Sequence, residues 1–318
     1  MKISVIIPLY NKAATIDRAL ASVLEQSHAA NEIVVVDDGS HDEGIERISK
    51  FNDPRIRLIQ QPNSGVSAAR NRGIDAATGD VLAFLDADDH WLPGHLRAIA
   101  ALADSHPHCD VFGTSYLIRT GHGADRHPLI RACHFASGIG AAMPNYFAIA
   151  SRSDPPFCSS SVAVTKRAMQ SVGGFPLGIP QGEDLLTWAR LAARFQIAYC
   201  PSNSAIVWQP DFGSAQPTRR PEKDDQVARA LIGLLAGVCP AERGSLMRYI
   251  SLWHKMRGSM YLALRDCGAA RREFRHAMKY HPMATALWAK YGLSFLPQSS
   301  VRHILTLWLR ISRRSAAA

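Results

Sequence analysis

The chain reads as an α/β protein: a mostly parallel central sheet with helices on both faces, followed by a helical, basic C-terminal region. Three observations predict this. Short Val- and Ile-rich runs alternate with amphipathic segments through the first two hundred residues, at the spacing of βαβ units. Two of these runs end in carboxylates, Val34-Val35-Val36-Asp37-Asp38 and Val81-Leu82-Ala83-Phe84-Leu85-Asp86-Ala87-Asp88-Asp89. Beyond residue 208 the apolar period turns helical, and no further strand pattern is present.

Each element follows from its pattern. Ile3 to Pro8 is a first strand. Residues 13–24 predict a helix, with Ile16, Ala19, Leu20 and Val23 on one face. Residues 32–36 form a second strand, 42–50 a helix, 55–59 a short third strand and 67–77 a helix ending before Gly79. The run 81–85 is unbroken apolar, as a strand buried on both faces should be. A helix over 91–108 and a strand over 110–118 follow. The Gly-, Pro-, His- and Ser-rich stretch 119–156 predicts loops. Strands at 157–165 and 196–199 flank helices at 166–172 and 183–193, with a Gly173-Gly174-Phe175 turn between the helices. Residues 209–225 are polar and Pro-bearing, a loop or lid. Helices are predicted near 224–237, 244–266, 269–280, 283–295 and 300–312.

Composition narrows the function classes. At 318 residues and 47% hydrophobic content the chain can bury a sizeable core. Six cysteines without a CxxC pair point to a reducing compartment. The apolar run Ile3 to Leu9 is too short for a signal peptide core, and no stretch reaches the ~18 apolar residues of a membrane span. Residues 240–318 hold 14 Lys/Arg against 3 Asp/Glu, so the formal net charge of +9 belongs to the tail. No Cys/His finger or glycine-aromatic RNA-binding motif accompanies it, which argues against nucleic acid. The last predicted helix repeats Val301, Ile304, Leu305, Trp308 and Ile311 beside Arg302, Arg310, Arg313 and Arg314. Such a segment suits an anionic membrane surface or a packed terminal helix with a solvated basic end.

Ligands of open α/β sheets bind at the carboxyl ends of strands. Three such ends converge here: Pro8-Leu9-Tyr10-Asn11, Asp37-Asp38-Gly39-Ser40 and Asp86-Ala87-Asp88. The absence of GxGxxG and of GxxxxGK[ST] removes the dinucleotide cradle and the P-loop. Tyr10 can lie against a base, and Asp38 can accept a base N–H. Asp37 suits a turn cap. Asp86 and Asp88 are hard oxygen ligands of the kind that hold Mg²⁺ or Mn²⁺ on phosphates. Asp-Ala-Asp-Asp also suits a plain turn, and Asp89 suits a cap for the next helix.

These blocks, with Asn63-Ser64-Gly65-Val66-Ser67-Ala68-Ala69-Arg70-Asn71-Arg72-Gly73 and Trp91-Leu92-Pro93 in order between and behind them, resemble the family 2 glycosyltransferases, inverting nucleotide-sugar enzymes of the GT-A fold. The resemblance is dense over residues 1–100 and thins toward 190. It implies a catalytic domain over 1–215, with a nucleotide-sugar half (1–100) and an acceptor-side half (101–215), and a separate helical region over 216–318. It places Pro8, Tyr10 and Asp38 around the nucleoside, Arg70 near the donor, Asp86 near ribose and metal, and Asp88 on the divalent metal. Asp184, after the Gly-Gly-Phe turn, becomes the general base, with Glu183 beside it holding the acceptor or a loop. By local chemistry alone, Glu183-Asp184 is an ordinary acidic helix start.

The implied activity is inverting transfer of a single sugar from a nucleotide-sugar, UDP-linked among the options, to a glycan or lipid-linked acceptor in cell-surface polysaccharide or lipopolysaccharide synthesis. The implied location is cytoplasmic, peripheral on the inner face of the membrane. The Gln-x-x-Arg-Trp run of processive synthases is missing, which favours single transfers. His254 falls at helical spacing and reads as a packed or surface histidine rather than a metal ligand. Two other classes stay open. A sugar-phosphate nucleotidyltransferase should carry Gly, Arg and Lys in the first loop, where this chain has Tyr10-Asn11-Lys12-Ala13. A non-catalytic glycan- or polyanion-binding protein on the same scaffold should show no donor turnover.

Overall fold

A computed structural model of the chain describes residues 1–120, 125–131, 140–209 and 219–296. The predicted helix at 300–312 and most of the 209–225 loop lie outside the described residues. Two compact units are present: Met1–Ser214 with Ala236–Glu242, and Ala215–Leu235 with Arg243–Ala318.

The first unit is built on a nine-stranded sheet. Its strands are β1 (Ile3–Leu9), β2 (Glu32–Asp37), β3 (Ile56–Gln60), β4 (Val81–Phe84), β5 (His90–Trp91), β6 (Val111–Arg119), β7 (Ala141–Ala142), β8 (Val162–Thr165) and β9 (Ile197–Trp208). The order is β3-β2-β1-β4-β8-β6-β9-β5, with β7 also on β9. Strands β1 to β4, β6 and β9 run one way, and β5, β7 and β8 run the other. The sheet is therefore mostly parallel, as the alternating pattern predicts. Leu9 pairs with Asp37 and Ile6 with Phe84, which brings the ends of β1, β2 and β4 side by side.

Both faces are covered. Ile3, Val5, Ile7 and Leu9 point to the side packed by α1 (Ala13–Leu24), whose Ile16, Ala19, Leu20 and Val23 are buried in the same core with α2 (Gly44–Ile48) and α4 (His95–Ser105). The opposite face of β1 and β2 takes α3 (Val66–Ala76). A Cβ added at Gly73 of α3 would lie 2.5 Å from Ile6 Cγ2, so the helix sits as close as glycine allows. Phe84 meets Phe175 edge-on at 5.3 Å and Trp188 of α7 (Glu183–Ala192) at 6.3 Å. Truncating so buried an aromatic costs ~3–5 kcal/mol.

Several boundaries differ from the sequence expectations. His90–Trp91 pairs with β9, so the helix expected from residue 91 begins at His95. Strand β9 continues to Trp208 instead of ending near 199, through irregularities in its pairing with β6 at Thr114/Ser115 and Ser115/Tyr116. The strand expected over 157–165 is a 3-10 turn at Ser159–Ser161 followed by β8, which leads into α6 (Lys166–Ser171). Within the expected loops of 119–156 lie β7 and α5 (Tyr146–Ala150), the latter capped by Asn145 accepting Ala148 N–H.

The second unit is helical among its described residues: α8 (Gln226–Leu234), α9 (Pro240–Ala263, its first residues grouped with the first unit), α10 (Cys267–Tyr280) and α11 (Thr285–Leu293). Asp225 and Asp266 cap α8 and α10 by accepting the N–H groups of Ala228 and Ala269. Such caps contribute about 1 kcal/mol each. Tyr261, Ala270, Phe274, Ala277 and Leu287 form a core of their own. His254 is a packed histidine, stacked on Tyr280 and hydrogen-bonded to Glu273 at 2.8 Å.

Candidate functional site

The convergent strand ends enclose a cavity of about 420 Å³, within the range of small-molecule sites. Pro8, Tyr10, Lys12, Asp38, Arg70 and Asp88 are among its walls. Tyr10 leaves β1 with 44% of its surface exposed, a free aromatic face beside the cavity. The chain turns there through Asn11 at φ 50°, a left-handed conformation asparagine tolerates. Gly39 turns β2 away at φ +75°, and a side chain there would meet Asn63 N at 2.9 Å.

Asp38 is buried and already engaged. Its carboxylate accepts Gln61 Nε2 at 2.7 Å, Ser64 N–H at 2.9 Å and Gly65 N–H at 2.8 Å. It thus fixes the turn into α3, with Gly65 at φ +90°, while lining the cavity. Asp37 accepts Ser40 N–H at 3.2 Å, the turn cap expected of it.

Arg70 is the hinge of the arrangement. Its side chain, 4% exposed, donates to Asp86 Oδ1 at 2.7 Å, and its Nη1 lies 3.4 Å from Glu183 Oε1. The guanidinium also lies 4.9 Å from the Phe175 ring centre. Burial would lower its pKa, but Asp86 and Glu183 outweigh this and raise it. One cation therefore joins the β4 end to the start of α7, although the two segments are a hundred residues apart. Gly182 in the left-handed region precedes α7, and Asn71 holds the earlier Gly-Gly-Phe turn, its side chain bonding both to Phe175 N–H and to Phe175 O at 2.8 Å.

Asp184 and Glu183 open α7. The Asp184 carboxylate accepts Leu185 N–H at 2.6 Å. Burial pushes both carboxyls above the usual range, their mutual repulsion adding to the effect at Glu183, while Arg70 pulls both back. A carboxylate with a raised pKa is a better proton acceptor than a solvated one.

Asp88 stands at the cavity mouth, 38% exposed, with Lys12 Nζ 2.6 Å from Oδ2. Arg18 donates to its backbone carbonyl at 2.5 Å. Asp89 does not cap α4. It is 4% exposed, accepts Ser160 Oγ–H at 2.6 Å and Trp208 N–H at 2.9 Å, and so ties the β4 end to the end of β9. Burial, with repulsion from Asp86, pushes its carboxyl up to about 7. The Trp208 ring lies 4.3 Å under Arg18 and 5.5 Å from Arg119, and its Nε1–H donates to His90 Nδ1 at 3.0 Å. Burial and these two arginines push the His90 imidazole down to about 4, which keeps Nδ1 an acceptor.

Lys12, Arg18, Ser160 and Trp208 were absent from the sequence-derived site. Only Lys12, two residues past Tyr10, carried a local signal. All the residues that were predicted lie in the first unit. Pro8, Tyr10, Asp38, Arg70, Asp86 and Asp88 line one cavity, and Arg70 links that set to Glu183.

The donor set around Asp86 and Asp88 fits a divalent cation. Mg²⁺ and Mn²⁺ on nucleotides need only one or two protein carboxylates, the remaining positions coming from phosphate and water. Both side chains are accessible, at 32% and 38%. The exposed Lys12–Asp88 pair is worth ~1 kcal/mol or less and exchanges readily. Asp225, His254 and Glu273 in the second unit also lie within ligating distance of one another. There, Arg257 Nε sits 3.0 Å from both carboxylates and already supplies their counter-charge.

An α/β sheet with a cavity at its strand ends, walled by an aromatic, an arginine and accessible aspartates, defines the class of open α/β proteins that bind their ligands at the carboxyl ends of strands. Comparison with known proteins makes this specific: residues 4–160 match Glycosyl transferase family 2, and this stretch of the chain belongs to that family. An uncharacterized glycosyltransferase of Nostoc is 44% identical over 128 residues, 39% of this chain and 37% of that protein. The Escherichia coli UDP-Glc:α-D-GlcNAc-diphosphoundecaprenol β-1,3-glucosyltransferase WfgD is 39% identical over 96 residues, 30% of this chain and 38% of that one. The matches thus span well under half the length of these two relatives. In fold, the chain resembles Staphylococcus aureus TarS 1–349, solved in complex with UDP-GlcNAc: the TM-score is 0.66 at 20% identity, covering 95% of this chain and 92% of that one.

Proposed function

We propose that the protein transfers a single sugar, with inversion, from a nucleotide-sugar to a hydroxyl of a glycan or lipid-linked acceptor in cell-surface polysaccharide or lipopolysaccharide synthesis. The observation that carries the reading is the buried Arg70 bridge between Asp86 and Glu183. It holds the donor cavity and the α7 carboxylates in one constellation. The UDP-GlcNAc complex of TarS and the UDP-Glc donor in the name of WfgD favour a UDP-sugar. The latter's diphosphoundecaprenol acceptor favours a lipid-linked one, met at the inner face of the cytoplasmic membrane. The first unit is then the catalytic domain and the helical unit an accessory one.

In this mechanism Pro8 and Tyr10 pack the nucleoside, and Asp38 holds the Ser64–Gly65 turn against it. Asp184 takes the acceptor proton as the hydroxyl attacks the anomeric carbon. Glu183 keeps Arg70 aligned, and Arg70 in turn limits the rise in the Asp184 pKa. Asp88, with Asp86, would hold a divalent cation whose charge offsets that developing on the leaving diphosphate. A single displacement leaves no sugar on the enzyme, and a glycosidase's flanking carboxylate pair is not required. The test is turnover of a full set of nucleotide-sugars, with and without acceptor extracts. Release of a nucleoside diphosphate from one of them supports the reading. Inertness toward all, together with nucleoside triphosphate consumption in the presence of a sugar phosphate, would favour the nucleotidyltransferase alternative.

A further inference from the structure

We infer that the α10–α11 hairpin of the helical unit is a docking surface for an anionic lipid bilayer. The inference rests on the lipid-linked acceptor reading for its purpose, but its geometry stands apart from the catalytic site.

Helix α10 exposes Arg272, Arg275 and Lys279, spaced so that all three fall on one face. Its buried side carries Ala270, Phe274 and Ala277 into the unit's core. Helix α11, with the turn after it, places Trp288, Tyr291 and Phe295 at the same helical spacing, Trp288 and Phe295 exposed and Tyr291 half-buried against the unit's core. Their rings touch in sequence, Trp288 to Tyr291 at 6.4 Å and Tyr291 to Phe295 at 5.1 Å. Trp288 and Phe295 are 53% and 57% exposed, and Met283, in the turn between the helices, is 84% exposed. Arg271 joins the two stripes, its guanidinium 4.6 Å from the Phe295 ring centre.

A basic stripe beside an aromatic one is the chemistry of the membrane interface. Arg and Lys meet lipid phosphates, while Trp, Tyr and Phe sit at headgroup depth. The carboxylates of the hairpin do not oppose this. Glu273 is taken up by Arg257 and His254, and Asp266 by Arg220. Residues 297–318 contain Arg302, Arg310, Arg313 and Arg314 and no acidic residue. Their charge does not complement the basic stripe. An anionic leaflet complements both.

The test is flotation of the full chain with acceptor-free vesicles, either phosphatidylcholine alone or phosphatidylcholine with phosphatidylglycerol. Binding to the anionic vesicles only, weakened by salt, is expected. Reversing the stripe with R272E, R275E and K279E together should reduce partition by more than about a hundredfold, the loss of three basic charges alone giving that factor. Combining W288A with F295A should also reduce it, and both variants should remain folded by circular dichroism and keep donor turnover. Full flotation of both variants, or its loss only when Arg310, Arg313 and Arg314 are reversed, overturns the inference. A change of oligomeric state in W288A/F295A without any vesicle binding by the wild type also overturns it, in favour of an interface between copies. Vesicle binding by a chain that turns over no nucleotide-sugar supports the docking surface while sinking the transferase reading.

Discussion

Replacing Arg70 with Met keeps much of the side-chain volume and removes the charge that holds the site together. Arg70 is the buried partner of Asp86, and Glu183 is its second contact. Removing one member of a buried ion pair costs ~3–5 kcal/mol, because the carboxylates left behind have lost their counter-charge. For a unit of about two hundred residues, each kcal/mol moves the melting temperature by ~2–4 °C, so a drop of about 10 °C is expected. The loss must depend on pH. Without Arg70 the Glu183 and Asp184 carboxyls, already raised by burial, rise further. A raised carboxyl pKa destabilises the folded state where the group is ionised, so stability falls as pH rises. The gap between R70M and wild type should thus be widest near neutrality and narrow toward pH 5. Thermal melts across that range measure it, alongside the pH profile of turnover, whose acid limb should move to higher pH in the variant. A loss under 1 kcal/mol, or a gap that does not change with pH, would refute the bridge as the element joining the donor cavity to α7.

Asp184→Asn should bind donor as tightly as wild type and lose transfer by ~10²–10⁴-fold at saturating substrates; parallel loss of donor binding in calorimetry would reduce Asp184 to a helix-start residue. Asp88→Asn should melt like wild type and lose most turnover, because its exposed pair with Lys12 contributes little to stability. Chelation of divalent cations should weaken nucleoside diphosphate binding in calorimetry, and Mn²⁺ or Mg²⁺ should restore it; equal affinity after chelation counts against the assignment of Asp86 and Asp88. Asp89 ionises near 7 in the folded chain against 3.8 unfolded, so its contribution to stability should fall as pH rises from about 4 to about 7. In Asp89→Asn that part of the slope should flatten, as measured by denaturant midpoints at pH 5 and pH 7.

The sequence carried most of the sheet because local pattern and burial agree there. Helix α1 spans the predicted 13–24, since Ile16, Ala19, Leu20 and Val23 make one unbroken stripe against the sheet. Strand β4 is legible because both its faces are covered and every residue is apolar. Strand β9 was cut short because Pro201-Ser202-Asn203-Ser204 has turn chemistry. The strand persists there through its pairing with β6 and β5, neighbours that no local window contains. Helix α5 is five residues long, too short to show a period. The same division runs through the site. Asp86, Asp88, Arg70 and Asp184 could each be picked out within a motif. That Arg70 reaches from Asp86 to Glu183, that Asp89 serves Trp208 rather than α4, and that Asp38 is engaged by Ser64 and Gly65 are products of tertiary closure.

The charge balance around the cavity bears on the chemistry proposed for it. Asp38, Asp86, Asp88, Glu183 and Asp184 stand at or beside the site, with Asp89 behind them. Among the described residues, the cations set against them at the cavity are Lys12, Arg18 and Arg70. Arg70 is committed to two carboxylates, and Arg18 to the Asp88 carbonyl and the Trp208 ring. Lys12 alone is half exposed at the cavity mouth, and it is paired with Asp88. A nucleoside diphosphate entering this surround brings further negative charge, which the cations in place do not neutralise. Lys12 released from Asp88 can meet one phosphate oxygen, and Asp88 is then left to be compensated. Asp88 would hold a divalent cation here, and that charge would offset the carboxylate and the diphosphate and leave Lys12 for a phosphate oxygen. On this account the Lys12–Asp88 contact would open when donor and metal enter together. Lys12→Ala should then weaken donor binding in the presence of metal, whereas a purely structural pair would leave that affinity unchanged.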